Sequence, residues 1–379
     1  MERTAHPHET LTLHAGDPLW NLLMKRLSLS LPIVVVLIVA VTVVCILGIG
    51  AVVSYWVYPQ PNLDIIRVFD PDHLYFALVV LFVYSPSVWF IYLWQPRGMA
   101  TTLHLLRQND VIVETKERSL EASIKRMNSI LNSPFLLTAI IVAMLIVLLL
   151  ESFVAVPGEA AARGKTFFWY YDKRYYLLVF VPISYVTLYV AFMVVAKGIL
   201  ALGWFNLLFR RFHARVHPLH VDGVGGFGPL GSLAIRYSLI AVSLGVIGTS
   251  LTVARVFADG GWMLVESLLF YVAYAVLTPA CLITPLWSAH QAMVHCRNKL
   301  LDDISNEFER ALVEESPKNA AAFKESGKRL LVLRARYSLV RDTYPTWPLS
   351  LTAFRGFGIT ASLPLAVSII STVVDLVTR

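Results

Sequence analysis

Three histidines and an aspartate fall within ten residues of this chain, His213, His217, His220 and Asp222. These are ligand types that zinc or iron takes, and His213 and His217, four apart, would share one helix face. Pro218 then turns the chain, which could bring His220 and Asp222 back towards them. The plainer alternative is a basic juxtamembrane turn beside Arg211 and Arg215, with histidines that face water or headgroups. Gly223, Gly225, Gly226 and Gly228 follow at once, and Gly223, Gly225 and Gly228 formally satisfy G-x-G-x-x-G. That fingerprint holds a dinucleotide only inside a βαβ unit, whereas the flanks here are apolar helices, and no G-K-[ST] follows. No cofactor is therefore expected, and the glycines read as a tight re-entry of the chain into the bilayer.

Ionisable residues inside apolar segments are costly and by default mark function or pairing. Lys197, Arg236, Arg255, Glu266 and Asp375 are the candidates. Arg255 and Glu266 flank a short turn and are placed to pair, while Lys197 lies near a boundary that a long side chain reaches by snorkelling. The last apolar segment carries Thr352, Gly356, Thr360, Pro364, Ser368, Thr372 and Asp375, mostly four apart. Such a stripe of small and polar residues either packs against a neighbouring helix or lines water. In a symmetric oligomer it would surround a pore, with Asp375 as an acidic ring that attracts cations. No H-E-x-x-H, G-x-S-x-G or paired intramembrane carboxylate appears, so an enzyme is not expected.

The elements that must position these residues are set by composition. Of 379 residues 57% are hydrophobic and 15% charged, and the mean hydropathy is +0.65. A soluble domain carries about 25% charge, so the bilayer is the solvent for most of this chain. The net charge of +7 has no basic module to go with it, and no nucleic-acid partner is expected. Cys45, Cys281 and Cys296 form no C-x-x-C pair, which argues against a disulfide framework or structural zinc. The polar first 30 residues lack a signal-peptide pattern, so none is expected.

Seven apolar segments have bilayer length, near 31–57, 74–94, 135–152, 176–203, 233–256, 263–287 and 349–376. With the N-terminus inside, 25 of the 32 Lys and Arg fall on the inner side, which predicts an N-in, C-out protein of the cell membrane. The dissenting outer loop, 153–175, carries an aromatic run from Phe167 to Tyr171 that suits an interface. The reading gives a cytoplasmic N-terminus (1–30), a six-helix region (31–287) with a helical loop at 95–134 and a glycine-rich loop at 204–232, a cytoplasmic hairpin (288–348) and a last span (349–379). Leu120, Ile124, Met127 and Leu131 have the spacing of an amphipathic helix. Met293, Leu300, Ile304, Phe308 and Leu312 form one stripe of the hairpin, and Phe323, Leu330, Leu333, Tyr337 and Val340 the other. Ser316 and Pro317 make a cap and first turn for the second arm. Tyr344-Pro345-Thr346-Trp347-Pro348 ends it, because two prolines stop a helix.

The string from His217 to Gly228, H-P-L-H-V-D-G-V-G-G-F-G, resembles a motif of uncharacterised prokaryotic multi-pass membrane proteins, and Pro345-Thr346-Trp347-Pro348 is similar to their ends. In layout the chain resembles insect odorant and gustatory receptor-like seven-helix channels. That resemblance implies a tetramer with the last helix along the pore, although the family's aromatic and glutamine signature in that helix is absent. The expectation is an all-α polytopic membrane protein acting as a homo-oligomeric ion channel or channel-like transporter for ions or a small solute. The alternatives are a sensor or scaffold that signals through the hairpin, or a metal-dependent membrane enzyme.

Overall fold

The computed structural model describes residues 11–57, 65–114, 119–150, 167–168, 181–259, 264–314, 320–350, 353–364 and 366. About 82% of the structure is helical. Long apolar runs give helices because in hydrocarbon every backbone N–H and C=O must be satisfied within the segment itself. The helices are α1 (Leu31–Val57) and α2 (Ala77–Gln108), α3 (Leu120–Leu131) and α4 (Pro134–Leu150). They continue with α5 (Val181–Arg211), α6 (Gly228–Asp259), α7 (Leu264–Glu314), α8 (Ala320–Thr343) and α9 (353–364). Hydroxyls within them turn back on their own helix: Thr42 donates to the Ile38 carbonyl, Ser238 to that of Ala234 and Thr249 to that of Gly245. That satisfies a polar group where no water is available.

Among the described residues four helical stretches are long and apolar enough to cross a membrane: Leu31–Val57, Ala77–Gln108, Leu120–Leu149 and Tyr185–Arg211. They overlap the first four apolar segments of the sequence, and all but the first run past the expected bounds at one end. Helix α2 continues for about four turns beyond residue 94, so the first part of the expected 95–134 loop is a prolongation of the helix. The sixth apolar segment and the first hairpin arm are likewise one 51-residue helix, α7. At 1.5 Å per residue it is roughly 75 Å long, more than twice the thickness of a hydrocarbon core.

Two pairings of two-residue strands tie loops together. β1 (Ile65–Ile66) runs parallel to β3 (Phe167–Phe168), and β2 (Ile112–Val113) antiparallel to β4 (His213–Ala214). The main core gathers Leu11 and Leu13 with Leu106, Ile124, Phe205, Phe227, Leu230, Leu286 and Met293. It therefore joins the start of the chain, α2, α3, α5, the glycine loop and α7. Leu120, Ile124, Met127 and Leu131 are all buried, as their spacing requires. In the hairpin Ile304, Ala311 and Leu333 form the seam, with Leu300, Phe308, Leu330 and Val340 beside it. Leu312 and Tyr337 are exposed instead, because over several turns the seam drifts from Leu312 to its neighbour Ala311. Ser316, Pro317 and the side chain of Phe323 lie outside the described residues.

Candidate functional site

Helix α5 ends at Arg211, and the chain must reverse before α6 begins at Gly228. Asp222 makes the reversal. Its Oδ1 accepts from the backbone N–H of Val224 and of Gly226, both at 3.0 Å, and its Oδ2 from that of Gly228 at 2.9 Å. His220 Nδ1 lies 2.9 Å from Oδ1. Partial burial alone would push the pKa of Asp222 up, but the Gly226, Gly228 and Val224 donors, helped by His220, outweigh it and hold the carboxyl below its usual value. The acceptor also sits where the first N–H groups of α6 are otherwise unpaired and the helix end is positive.

Gly223, Gly225 and Gly226 have φ of 66°, 71° and 94°. Only glycine takes such values without cost, so the glycines serve the turn. The loop is stitched to its surroundings: Asn109 Nδ2 donates to the Gly226 carbonyl at 2.9 Å, Arg215 N–H to that of Val111 at 2.9 Å, and Cys296 Sγ–H to that of Ala214 at 3.3 Å. Two other parts of the chain, 109–111 and α7, are thus fastened to one loop. The carboxylate that a metal site would need is already filled by N–H donors, and among the described residues no group of three or more His, Cys, Asp or Glu is arranged to hold a metal ion. His213 pairs through its backbone in β4, while His217 and His220 line an open cleft of about 740 Å³ with Tyr344 of the hairpin end. Asp222 thus has a structural role in the turn, while the side chain of His213, and with it the four-residue metal set His213, His217, His220 and Asp222, lies outside the described residues.

The end of the hairpin lies against this turn. His290 of α7 stacks on Trp347, ring centroids 4.1 Å apart, and its Nδ1 lies 2.6 Å from the Thr346 carbonyl. A carbonyl can only accept, so Nδ1 carries the proton. A Cβ on Gly231 would run into the Pro348 carbonyl oxygen. Gly231→Ala is thus expected to push α6 off this segment and cost about 2 kcal/mol, as overpacking does. Thermal unfolding of the purified protein measures it; an unchanged midpoint would show that the segment yields freely.

A second polar centre was not apparent from the sequence. Asp17 is fully buried, and its Oδ1 caps the turn at Pro18–Trp20 by accepting from Leu19 N–H at 3.0 Å and Trp20 N–H at 3.4 Å. Tyr92 of α2 donates to its Oδ2 at 2.6 Å and Tyr189 of α5 to its Oδ1 at 2.9 Å. Lys197 is 3% exposed and donates to the Leu13 carbonyl at 2.6 Å, within the electrostatic reach of Asp17. Snorkelling to water, expected for Lys197, gives way to capture of the N-terminal segment, because that segment brings both a carbonyl and a carboxylate to the ammonium. His14 lies between Trp20 and Tyr92, with centroids 5.3 and 4.7 Å away. Burial, then the charge of Lys197, holds it well below the usual histidine value, with Gln95 pulling weakly the other way. Asn128 and Asn132 of α3 fasten the same segment through the backbone of Thr12 and Gly16. The signal in the sequence was Asp17-Pro18, a cap followed by a first-turn proline.

The remaining expected residues fall apart from these centres. Arg236 projects from α6 over the Trp94 ring, 5.0 Å from its centroid. Arg255 and Glu266 lie on α6 and α7, with side chains outside the described set, so their pairing falls outside it too. On α9, Phe357 and Pro364 are buried, and Ala361 accepts from Tyr274 at 2.9 Å while Pro364 accepts from Thr249 at 3.2 Å. Gly356 is exposed, and Thr360 is half-buried at the margin of that face. Pro364 therefore leaves the expected stripe for the packed face. Thr352, Ser368, Thr372 and Asp375 lie outside the described residues. Compared with family models, with curated proteins and with solved structures, the chain matches none.

Proposed function

We propose that the chain crosses the cell membrane seven times, N-in and C-out, and is one subunit of a homo-oligomeric ion channel or channel-like transporter whose last helix borders the path of an ion or small solute. The observation that carries this reading is the divided surface of α9. Phe357, Ala361 and Pro364 face the rest of the chain, whereas Arg355, Gly356 and Ser362 are exposed and a Cβ on Gly356 would meet nothing. On that side a cation, a hydroxyl and a bare glycine stand among exposed Phe354, Ile359 and Leu363, and in a span such a mixed surface is better covered by water or a second copy than by lipid alone. The likeness to seven-helix receptor channels supplies the tetramer as the working subunit count.

A second uncovered surface suits assembly. On α8 Leu331, Val332 and Leu339 point away from α7, with Val332 64% exposed, and Leu312 and Val313 are exposed on α7. Contiguous apolar surface outside a membrane marks an interaction site. A second copy is the occupant in the channel reading, and a separate protein in the alternative, a membrane sensor or scaffold.

Reconstitution tests the choice. In protein whose three native cysteines are replaced by serine, Thr360→Cys is expected to react with water-soluble thiol reagents, and the reaction to cut ion flux into liposomes about tenfold or more, since a pore-side adduct blocks the path. No flux under any voltage or solute tried, together with an unreactive Thr360→Cys, would sink the channel reading and leave the sensor.

A further inference from the structure

A cleft of about 320 Å³ opens between α2 and the start of α6, lined among others by Trp94, Arg97, Thr101, Pro229, Ser232 and Arg236. No carboxylate lines it, and neither Arg97 nor Arg236 has an ion-pair partner among the described residues. The two arginines stand on different helices and open onto one space. Arg236 is not loose, because its guanidinium lies over the Trp94 indole, which orients the planar fork and leaves its N–H edges free. Thr101 and Ser232 add exposed hydroxyls at the rim, whereas Thr102 is already spent on the Gly98 carbonyl.

The level of the cleft is fixed by the sequence. Residues 74–96 hold no charged side chain and Arg97 is the first after them; residues 237–254 hold none and Arg236 is the last before them. Both arginines thus mark the edge of the hydrocarbon on their helices, on the side rich in Lys and Arg. Trp94 is the amphipathic ring that favours this depth. Basic pockets between spanning helices at that depth suit acidic headgroups, and guanidinium forks match the paired oxygens of phosphate.

We propose that this cleft binds a phosphate group, and that the phosphate is that of an anionic membrane lipid with its acyl chains along α2 and α6. The proposal rests on the seven-span topology given above and not on conduction.

Native mass spectrometry of the full-length protein in detergent, titrated with dioctanoyl phosphatidic acid, dioctanoyl phosphatidylcholine or inorganic phosphate, tests it. Phosphatidic acid is expected to bind at least tenfold more tightly than either of the others. Arg97→Gln and Arg236→Gln should each weaken it by about tenfold, the size of a charge-assisted hydrogen bond. Arg236→Lys, which keeps the charge and loses the fork, should weaken it several-fold, and it preserves the test if the glutamine variants fold poorly. Equal binding of phosphatidylcholine, or phosphatidic acid binding that none of these substitutions alters, overturns the site. Inorganic phosphate bound as tightly as phosphatidic acid overturns the lipid as its source. A protein that conducts ions and shows no such preference refutes this proposal alone.

Discussion

Asp222→Ala is expected to lower stability by about 3 kcal/mol, because three backbone N–H groups lose their acceptor together and each unsatisfied, part-buried donor costs about 1 kcal/mol or more. In a chain of this size that corresponds to roughly 5 °C or more in the unfolding midpoint of the detergent-solubilised protein. Asp222→Asn should fall between, since its amide keeps one oxygen for two of the donors and turns an NH₂ group towards the third. The pH dependence has a definite sign. The folded carboxyl titrates below its unfolded value, so its contribution is complete above the ordinary carboxylate range and is lost as pH falls through the folded value. Wild type should therefore lose stability on acidification more steeply than Asp222→Asn does. Equal midpoints for Asp222→Ala and wild type would mean that the neighbouring elements hold the turn without the carboxylate.

Why Asp222 read as a possible ligand is instructive. Composition identifies residue types that suit a metal, but whether a carboxylate's lone pairs are free depends on backbone N–H groups whose direction is set by φ at Gly223, Gly225 and Gly226. The glycines themselves announced a tight turn, and the turn is there. Helices were legible because apolar runs in a bilayer have few alternatives, and the first four apolar segments reappear as helices of spanning length. Helix ends were less legible: Arg97 and Arg107 look like loop residues by charge, yet α2 runs through both because α5 and α6 pack on it. Local amphipathic spacing worked for Leu120 to Leu131 and slipped at Leu312, where one residue of drift exchanges a buried for an exposed position. The docking of the segment from Leu13 to Asp17 against Lys197 was invisible because nothing local links residues so far apart. The same holds for the cleft beneath Arg97 and Arg236, which exists only once α2 and α6 lie side by side.

Breaking the buried centre on Asp17 should have the larger effect. Asp17→Ala leaves Lys197 without its nearby countercharge and the Tyr92 and Tyr189 hydroxyls without an acceptor. Removing one member of a buried ionic cluster costs about 4 kcal/mol. That cost should fall mainly on docking of the N-terminal segment, so amide hydrogen exchange across residues 11–30 is expected to quicken by about a thousandfold. Lys197→Met should do less, because Asp17 keeps its two tyrosines and two N–H donors, and joining it to Asp17→Ala should recover part of the loss, since no uncompensated charge then stays buried. If the double variant is as damaged as the sum of the two singles, the residues act independently and the cluster is not a unit. His14 adds a pH dependence of known direction. Facing it are the Trp20 and Tyr92 rings, the Asp17 carboxylate at 3.6 Å and Lys197. Its docked value lies below the ordinary one, so docking is complete above about pH 6.5 and weakens as pH falls through that unfolded value. Exchange at residues 11–30 should therefore quicken on mild acidification in wild type and much less in His14→Phe, which keeps an aromatic ring between Trp20 and Tyr92 but has no proton to gain. A His14→Phe protein that loosens as readily would place the acid response on another group and leave His14 as packing alone.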